Sequence, residues 1–320
     1  MANSISEQKL LPGTNGGNIY DFQAAMALGS KNELFADPRS IWEKDTPLSY
    51  WLKLRKRPSA DLLIMEPYPV VFGSLRKGIK RLAIIHHIDF DRIESSRKHK
   101  WFFSRLIKRL KTLDGLVTVS KYWKDYLESE GCTNVSVIYN SFDPLLYQFA
   151  EDKRVEFRSK FGFDPEKPLV HIGNASAEKG VYEVYEALKG EPIQMVMSGG
   201  RNNASDLPVA FMSLPETEYR ELIFSCDAVM AFSKMMEGWN RIVHEAMLCQ
   251  VPVIGSGSGG MQELLEGGGQ LITSNASDLP DLLRQALDNR TVLGKRGYSY
   301  ASQFNLGYFK AAWLDFVQSI

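Results

Sequence analysis

Short apolar runs alternate along this chain with longer amphipathic ones, and that alternation restricts the fold more than any other feature. "ADLLIM" (60–65), "RLAIIHH" (81–87), "GLVTVS" (115–120) and "VSVIYN" (135–140) are apolar with no two-residue period, the pattern of strands buried on both faces. Between the last two, "KYWKDYLESEG" predicts a helix that ends at Gly131. Strand and helix in turn predict a parallel sheet covered by helices. The same order restarts after the charged stretch "DPEKP" (164–168), with "LVHIG", "IQMVMSGG", "AVMAFS" and "VPVIGS" as strands. In "VYEVYEALKG", Val181, Val184, Tyr185 and Leu188 fall on one helical face. Near the end, Phe309, Trp313 and Phe316 recur at helical spacing, so the last segment should pack.

A chain of 320 residues is too long for one ordinary core and suits two domains of roughly 150 residues each. With 38 basic and 38 acidic residues the net charge is zero, and no global field points to nucleic acid. Cys132, Cys226 and Cys249 are odd in number and far apart, which excludes a disulfide framework or zinc spacing and fits reduced thiols. The opening "MANSISEQKLLPGTNGG" has neither basic n-region nor apolar h-region, and no run of 18 apolar residues occurs. A cytoplasmic chain is expected.

Several of the strands end in Gly, Ser, Asn or His. In open parallel sheets, ligands bind outside the carboxyl ends of the strands, so chemistry is expected in a cleft where both sheets present those ends. "EGWNRIVHE" (237–245) follows one such end. Asn240 suits the N-cap of a helix running to about Cys249, with Glu237 in the loop above and Glu245 more than a turn down. Carboxylates only accept hydrogen bonds, so two staggered in this way suit a ligand with hydroxyl pairs at both ends. The helix N-terminus between them suits an anion such as a diphosphate. A nucleotide sugar has that layout. Spacing equally allows a solvent-facing helix, with Arg241 and Glu245 forming an i,i+4 pair worth roughly 0.3 to 0.5 kcal/mol.

The segment "EGWNRIVHEAMLCQVPVIGSGSGGMQELLEGGGQLI" (237–272) resembles the E-x7-E segment of glycosyltransferase family 4. "HIGNASAEKGVYEVYEAL" (171–188) and "LDGLVTVSKYWKDYL" with "VSVIYNSFD" resemble other motifs of that family, in family order, from about Gly16 to Phe316. The resemblance implies the GT-B fold: two Rossmann-like domains facing across a cleft, here residues 1–148 and 149–304, with a helix at 305–320 crossing back. It implies a retaining, metal-independent enzyme of hexosyltransferase type, without cofactor, acting in polysaccharide or glycoconjugate synthesis. Such an enzyme moves a sugar from a nucleotide-diphosphate sugar to a glycan, lipid-linked or small-molecule acceptor.

By the same resemblance Glu237 would hold hydroxyls of the transferred sugar, Glu245 the ribose, and Lys179 the diphosphate, aided by Gly238, Trp239, Asn240 and Arg241. Gly16 and Gly17 match the glycine pair that lets a helix approach the diphosphate, and His86 matches a histidine near the reacting carbon, although His87 lies beside it. "DFD" (89–91) reads as loop acids, and no metal site is expected. Three departures stand out. Asn174 occupies the place of a family arginine, with Arg241 the candidate replacement. The first strand is abbreviated, and a helix common in relatives is missing between "MSGG" and "VAFMS". Asn174 and the abbreviated first strand motivate one rival, a non-catalytic nucleotide-sugar-binding protein, and a GT-B-fold nucleotide-sugar epimerase is a second alternative.

Finally, "RKHKWFFSRLIKRLKTLD" (97–114) is a basic amphipathic stretch. It fits either a domain helix with a solvated basic face or a helix lying on an anionic membrane.

Overall fold

A computed structural model describes residues 16–29, 33–35, 62–73, 78–199, 204 and 206–320. The chain forms two compact units, one of residues 1–141 with 306–320 and one of residues 142–305.

The first unit holds a parallel sheet of β1 (Glu33–Phe35), β2 (Leu62–Met65), β3 (Lys80–Ile85), β4 (Gly115–Thr118) and β5 (Val135–Val137), paired in that order. The four apolar runs read as strands from the sequence become β2 to β5. The helix Gly16–Leu28 and the last helix, Leu306–Ser319, pack together on this sheet. Tyr20 is fully buried between them, its ring 5.0 Å from Phe309 and 6.3 Å from Trp313, and its hydroxyl donates to Ile138 O at 2.9 Å. Gly115 opens β4 where the last helix crosses: a Cβ there would lie 2.8 Å from Phe316 Cζ. Helical spacing of Phe309, Trp313 and Phe316 thus describes a real buried stripe, and it belongs to the first unit although the chain reaches it last.

The second unit holds β6 (Leu169–Asn174), β7 (Gln194–Ser198), β8 (Ala210–Met212), β9 (Ala228–Ala231), β10 (Val253–Gly255) and β11 (Leu271–Ile272). Spatial order is β11-β10-β9-β6-β7-β8, all parallel. The chain leaves β6 toward one edge through β7 and β8, then returns to β9 and continues toward the other. That is the doubly wound dinucleotide-binding topology, whose switch point lies between β6 and β9. Both strands are central and apolar, which is why their loops converge. Helix Val181–Leu188 buries Val181, Val184 and Leu188 on the sheet, as its spacing predicts. Strands β8 and β11, at the two edges of the sheet, escape sequence reading because neither is a buried apolar run: their residues are exposed or only half-buried.

The division between units falls at Ser141–Phe142, where the resemblance implies 148–149. Phe142 N–H donates to Phe304 O at 3.1 Å and its ring lies 4.2 Å from that of His244, so the linker is already built into the second core. The expected abbreviation of the first strand concerns residues outside those described. Between β7 and β8, none of the described residues is helical.

The basic stretch forms the helix Arg97–Leu110, with Leu106, Ile107 and Leu110 buried. Arg109 Nη1 donates to the carbonyls of Val70, Val71 and Gly73, and Arg105 Nε donates to Val71 O. Two of its cations therefore close the carboxyl end of the helix Pro67–Phe72, where free carbonyls favour positive charge. Trp101 remains 54% exposed. Among the described residues no helix is long and apolar enough to cross a membrane.

Candidate functional site

Three loops leave the carboxyl ends of β6, β9 and β10, and each is fastened to the next. Lys234 N–H, after β9, donates to Glu178 O at 3.0 Å. Gly180, at φ +72°, sits so close to the end of β9 that a Cβ would meet Phe232 O at 2.0 Å. On the other side, the hydroxyls of Ser256 and Ser258 donate to Ser233 O at 2.8 and 3.0 Å. Glu237 itself is gripped by its backbone: its N–H donates to Ser258 O at 3.3 Å and its carbonyl accepts from Gly260 N–H at 2.9 Å. Gly259, at φ +65°, lets the strands of chain approach, since a Cβ would lie 2.5 Å from Glu237 O. In the sequence "GSGSGG" reads only as the end of a strand, whereas in the structure it holds the backbone of Glu237.

The result is that Lys179 and Glu237, from different loops, meet: Lys179 Nζ lies 2.7 Å from Glu237 Oε1. Beneath them Asn240, at φ +71°, caps the helix Arg241–Leu248, its Oδ1 accepting from Val243 N–H at 3.3 Å. The first-turn N–H groups of that helix have no intrahelical acceptors and carry the positive end of the helix dipole. A cation, an anion-favouring helix end and a positioned carboxylate thus share one end of one sheet.

Glu245 lies within the helix and is 8% exposed. Its Oε1 accepts from Tyr147 Oη at 3.3 Å and lies 3.5 Å from Arg241 Nη2, while Oε2 accepts from Tyr219 Oη at 3.2 Å. Burial raises its carboxyl above the usual value, although Arg241 and both tyrosines act in the opposite direction. Burial likewise raises the Tyr219 hydroxyl, with the charge of Glu245 adding to it. Arg241 stacks its guanidinium 4.2 Å above the Phe142 ring, and its buried Nη1 has no hydrogen-bond partner. Of the two roles open to Arg241 in the sequence, the i,i+4 pairing with Glu245 is realised. Tyr147 and Tyr219 carried no local signal, because each reaches Glu245 from a distant stretch of chain.

Gly238 and Trp239 are both buried. Trp239 turns its ring inward and its Nε1–H donates to His244 Nδ1 at 2.9 Å. His244 is fully buried, and burial lowers its value to about 3, so it is neutral and Nε2–H donates to Ala301 O at 3.1 Å. Asn174 ends β6 exposed, with Oδ1 accepting from Ser198 Oγ at 3.3 Å.

In the first unit, Gly16 and Gly17 open the helix Gly16–Leu28. His86 follows β3 and turns its Nε2 to Asp21 Oδ1 at 3.0 Å, its ring 5.1 Å edge-on from Tyr20. His87 beside it is exposed, so the structure distinguishes the two histidines. Asp21 is 1% exposed and its Oδ2 has no hydrogen-bond partner. It is absent from the sequence-based set because a lone aspartate in a helix resembles any surface acid. Of the "DFD" acids, Asp89 caps the helix Phe90–Glu94 by accepting from Arg92 N–H, which accounts for a loop acid there. Among the described residues no group of three or more His, Cys, Asp or Glu is placed to hold a metal ion.

Two Rossmann-like units, the second with an anion-favouring helix end, a lysine and two carboxylates at its switch point, define the GT-B class of glycosyltransferases. Residues 153–301 match the family model described as glycosyl transferases group 1, and residues 27–144 match that of glycosyltransferase family 4. The chain belongs to glycosyltransferase family 4 and is a transferase. An uncharacterized glycosyltransferase of Methanocaldococcus jannaschii is 24% identical over 255 residues, covering 73% of this chain and 67% of that one. Sucrose-phosphate synthase from Thermosynechococcus elongatus superposes with a TM-score of 0.77 at 17% identity, covering 95% of this chain and 93% of that one. HepE of Anabaena, solved in complex with UDP, gives 0.70 at 18% identity, covering 86% and 82%. Both likenesses extend to the fold, and GT-B is the fold of this chain.

Proposed function

We propose that the enzyme takes its sugar from a nucleotide-diphosphate sugar and transfers it with retention of anomeric configuration, without a metal ion. The observation that carries this reading is the meeting of Lys179 and Glu237 above the capped N-terminus of the helix Arg241–Leu248. A departing nucleoside diphosphate gains negative charge, and fixed donors stabilise such charge without reorganising. Lys179 Nζ and the first-turn N–H groups that Asn240 does not cap supply those donors, aided by the backbone at Gly238, Trp239, Asn240 and Arg241. The Glu237 carboxylate accepts hydrogen bonds from the hydroxyls of the transferred sugar and orients it, and Glu245 takes the ribose diol. Gly16 and Gly17 serve the diphosphate, and His86 serves the reacting sugar. HepE was solved with UDP and with UDP-glucose, which makes a uracil nucleotide the first donor to try.

The acceptor, a glycan, a lipid-linked sugar or a small molecule, is assigned to the first unit. Exposed Trp101 among Arg97, Lys98, Lys100 and Lys108 supports peripheral contact of that unit with an anionic membrane from the cytoplasmic side. A panel of nucleotide sugars, screened by thermal shift and then assayed for nucleotide release with and without acceptor, tests the whole reading. Acceptor-dependent release bears it out. Stabilisation without turnover replaces it with a nucleotide-sugar-binding protein, and an isomerised donor replaces it with an epimerase.

A further inference from the structure

Asn174 stands where the family resemblance leads one to expect an arginine, and its surroundings define which way its amide faces. The ladder between β6 and β7 shifts register between His171 and Asn174, so that Asn174 pairs directly with Ser198. Gly173, at φ +116°, makes that irregularity possible, and its N–H turns onto His171 Nδ1 at 3.1 Å. Nδ1 is therefore an acceptor. His171 is fully buried and burial lowers its value to about 3, so the ring is neutral and its one hydrogen sits on Nε2. Nε2 lies 2.8 Å from Ser198 Oγ, itself 1% exposed, and must donate to it. A hydroxyl has a single hydrogen, and that of Ser198 goes to Asn174 Oδ1 at 3.3 Å. With Oδ1 committed, Nδ2 is the atom of this exposed amide left to donate, and it makes no hydrogen bond among the described residues.

We propose that the relay from His171 through Ser198 to Asn174 fixes this amide as an outward-facing, neutral pair of N–H donors for the diphosphate of the sugar nucleotide. His171 and Ser198 are then positioning residues, and Asn174 replaces the cation by oriented dipole. The reverse orientation would present Oδ1 to phosphate oxygens, acceptor against acceptor. The inference rests on the donor reading above, and it explains how the site tolerates the loss of an arginine while Arg241 is engaged with Glu245.

The test titrates UDP, GDP and ADP into the whole protein and into Asn174→Asp, Asn174→Ala, Ser198→Ala and the Asn174→Ala, Ser198→Ala double variant. Melting temperatures report whether each is folded. Asn174→Asp keeps the acceptor for Ser198 but replaces the donors by charge of the wrong sign, and should weaken the best-bound diphosphate at least about tenfold. Ser198→Ala frees the amide to rotate and should weaken it about threefold, with no further loss once Asn174 is already alanine. Nitrogen-15 NMR of the His171 ring reads the relay independently of any ligand, and should show the neutral Nε2–H tautomer. The proposal is overturned if Asn174→Asp binds like the wild type, if the two alanine substitutions add, or if His171 carries its hydrogen on Nδ1. Should the wild type bind none of the three nucleotides, the donor reading fails and the proposal with it. Binding that is indifferent to Asn174 overturns the proposal alone.

Discussion

Lys179 Nζ approaches Glu237 Oε1 to 2.7 Å, although the two residues belong to loops that follow different strands. Their side chains are 30% and 10% exposed. A pair with one half-open partner contributes little to stability, about 0 to 1 kcal/mol. The effort spent on holding it lies elsewhere, in Gly180, Gly259, Ser256 and Ser258, which lock the backbones that carry the two charges. So small a gain in stability does not account for holding the pair this rigidly, which supports the donor role proposed above.

Glu237→Gln should accordingly lower transfer by about a hundredfold or more while moving the melting temperature little. Lys179→Ala should lower turnover to a similar extent, because it removes a cation from the leaving group. Nucleotide release and calorimetry on the same preparations check both. Near-normal turnover in Glu237→Gln would remove the assignment of that carboxylate.

The alternation of elements, the capping Asn240 and the stagger of Glu237 and Glu245 are legible in the sequence, because each shows in a continuous stretch of chain. Sequence reading did not reach Tyr147 or Tyr219, which meet Glu245 from far along the chain. Nor did it reach Asp21 or the relay through His171, whose chemistry depends on which neighbour a buried ring faces. Ser141 and Phe142 show the same limit: a domain boundary is set by long-range packing, and the charged stretch 164–168, where the alternation restarts in the sequence, lies well beyond it.

The loop junctions yield a second expectation. In Gly180→Ala a methyl would meet Phe232 O at 2.0 Å on a backbone already at φ +72°. The left-handed conformation alone costs roughly 1 kcal/mol for a side chain, and backbone has to move in addition. Urea unfolding should show a loss of about 2 kcal/mol or more, and donor binding should weaken with it because Lys179 is the adjacent residue. Gly162→Ala, at a comparable φ of +73° with nothing within 4 Å, is the control and should cost only the conformational part.

Glu245 supplies a pH dependence with a definite sign. Burial raises its folded value above the unfolded one, so the stability it contributes is fully present below the unfolded carboxyl value. That stability is lost as pH rises through the raised folded value. Glu245→Gln cannot ionise and escapes the loss. The stability of Glu245→Gln minus that of the wild type should therefore increase between about pH 4.5 and neutrality, whatever its absolute value. Denaturant unfolding across that range checks it, and a difference that stays flat or falls would show that Arg241, Tyr147 and Tyr219 outweigh burial.

The two buried histidines have the opposite sign. His171 and His244 are both held neutral, with burial lowering each from 6.5 to about 3. The unfolded chain therefore binds more protons between those values, and the stability each contributes is present above 6.5 and lost as pH falls toward about 3. One pH unit below the unfolded value the loss is about 1.4 kcal/mol for each histidine. For His244 this is also the loss of a defined contact, since a proton on Nδ1 would face Trp239 Nε1–H, donor against donor. His244→Gln can still donate to Ala301 O or accept from Trp239 but does not titrate. Urea unfolding near pH 7.5, 6.5 and 5.5 should show a shallower decline for His244→Gln than for the wild type, by roughly that amount at the lowest pH. Parallel declines would mean that His244 titrates normally and is reached by water, and that the Trp239 Nε1–H to Nδ1 contact does not hold the ring neutral.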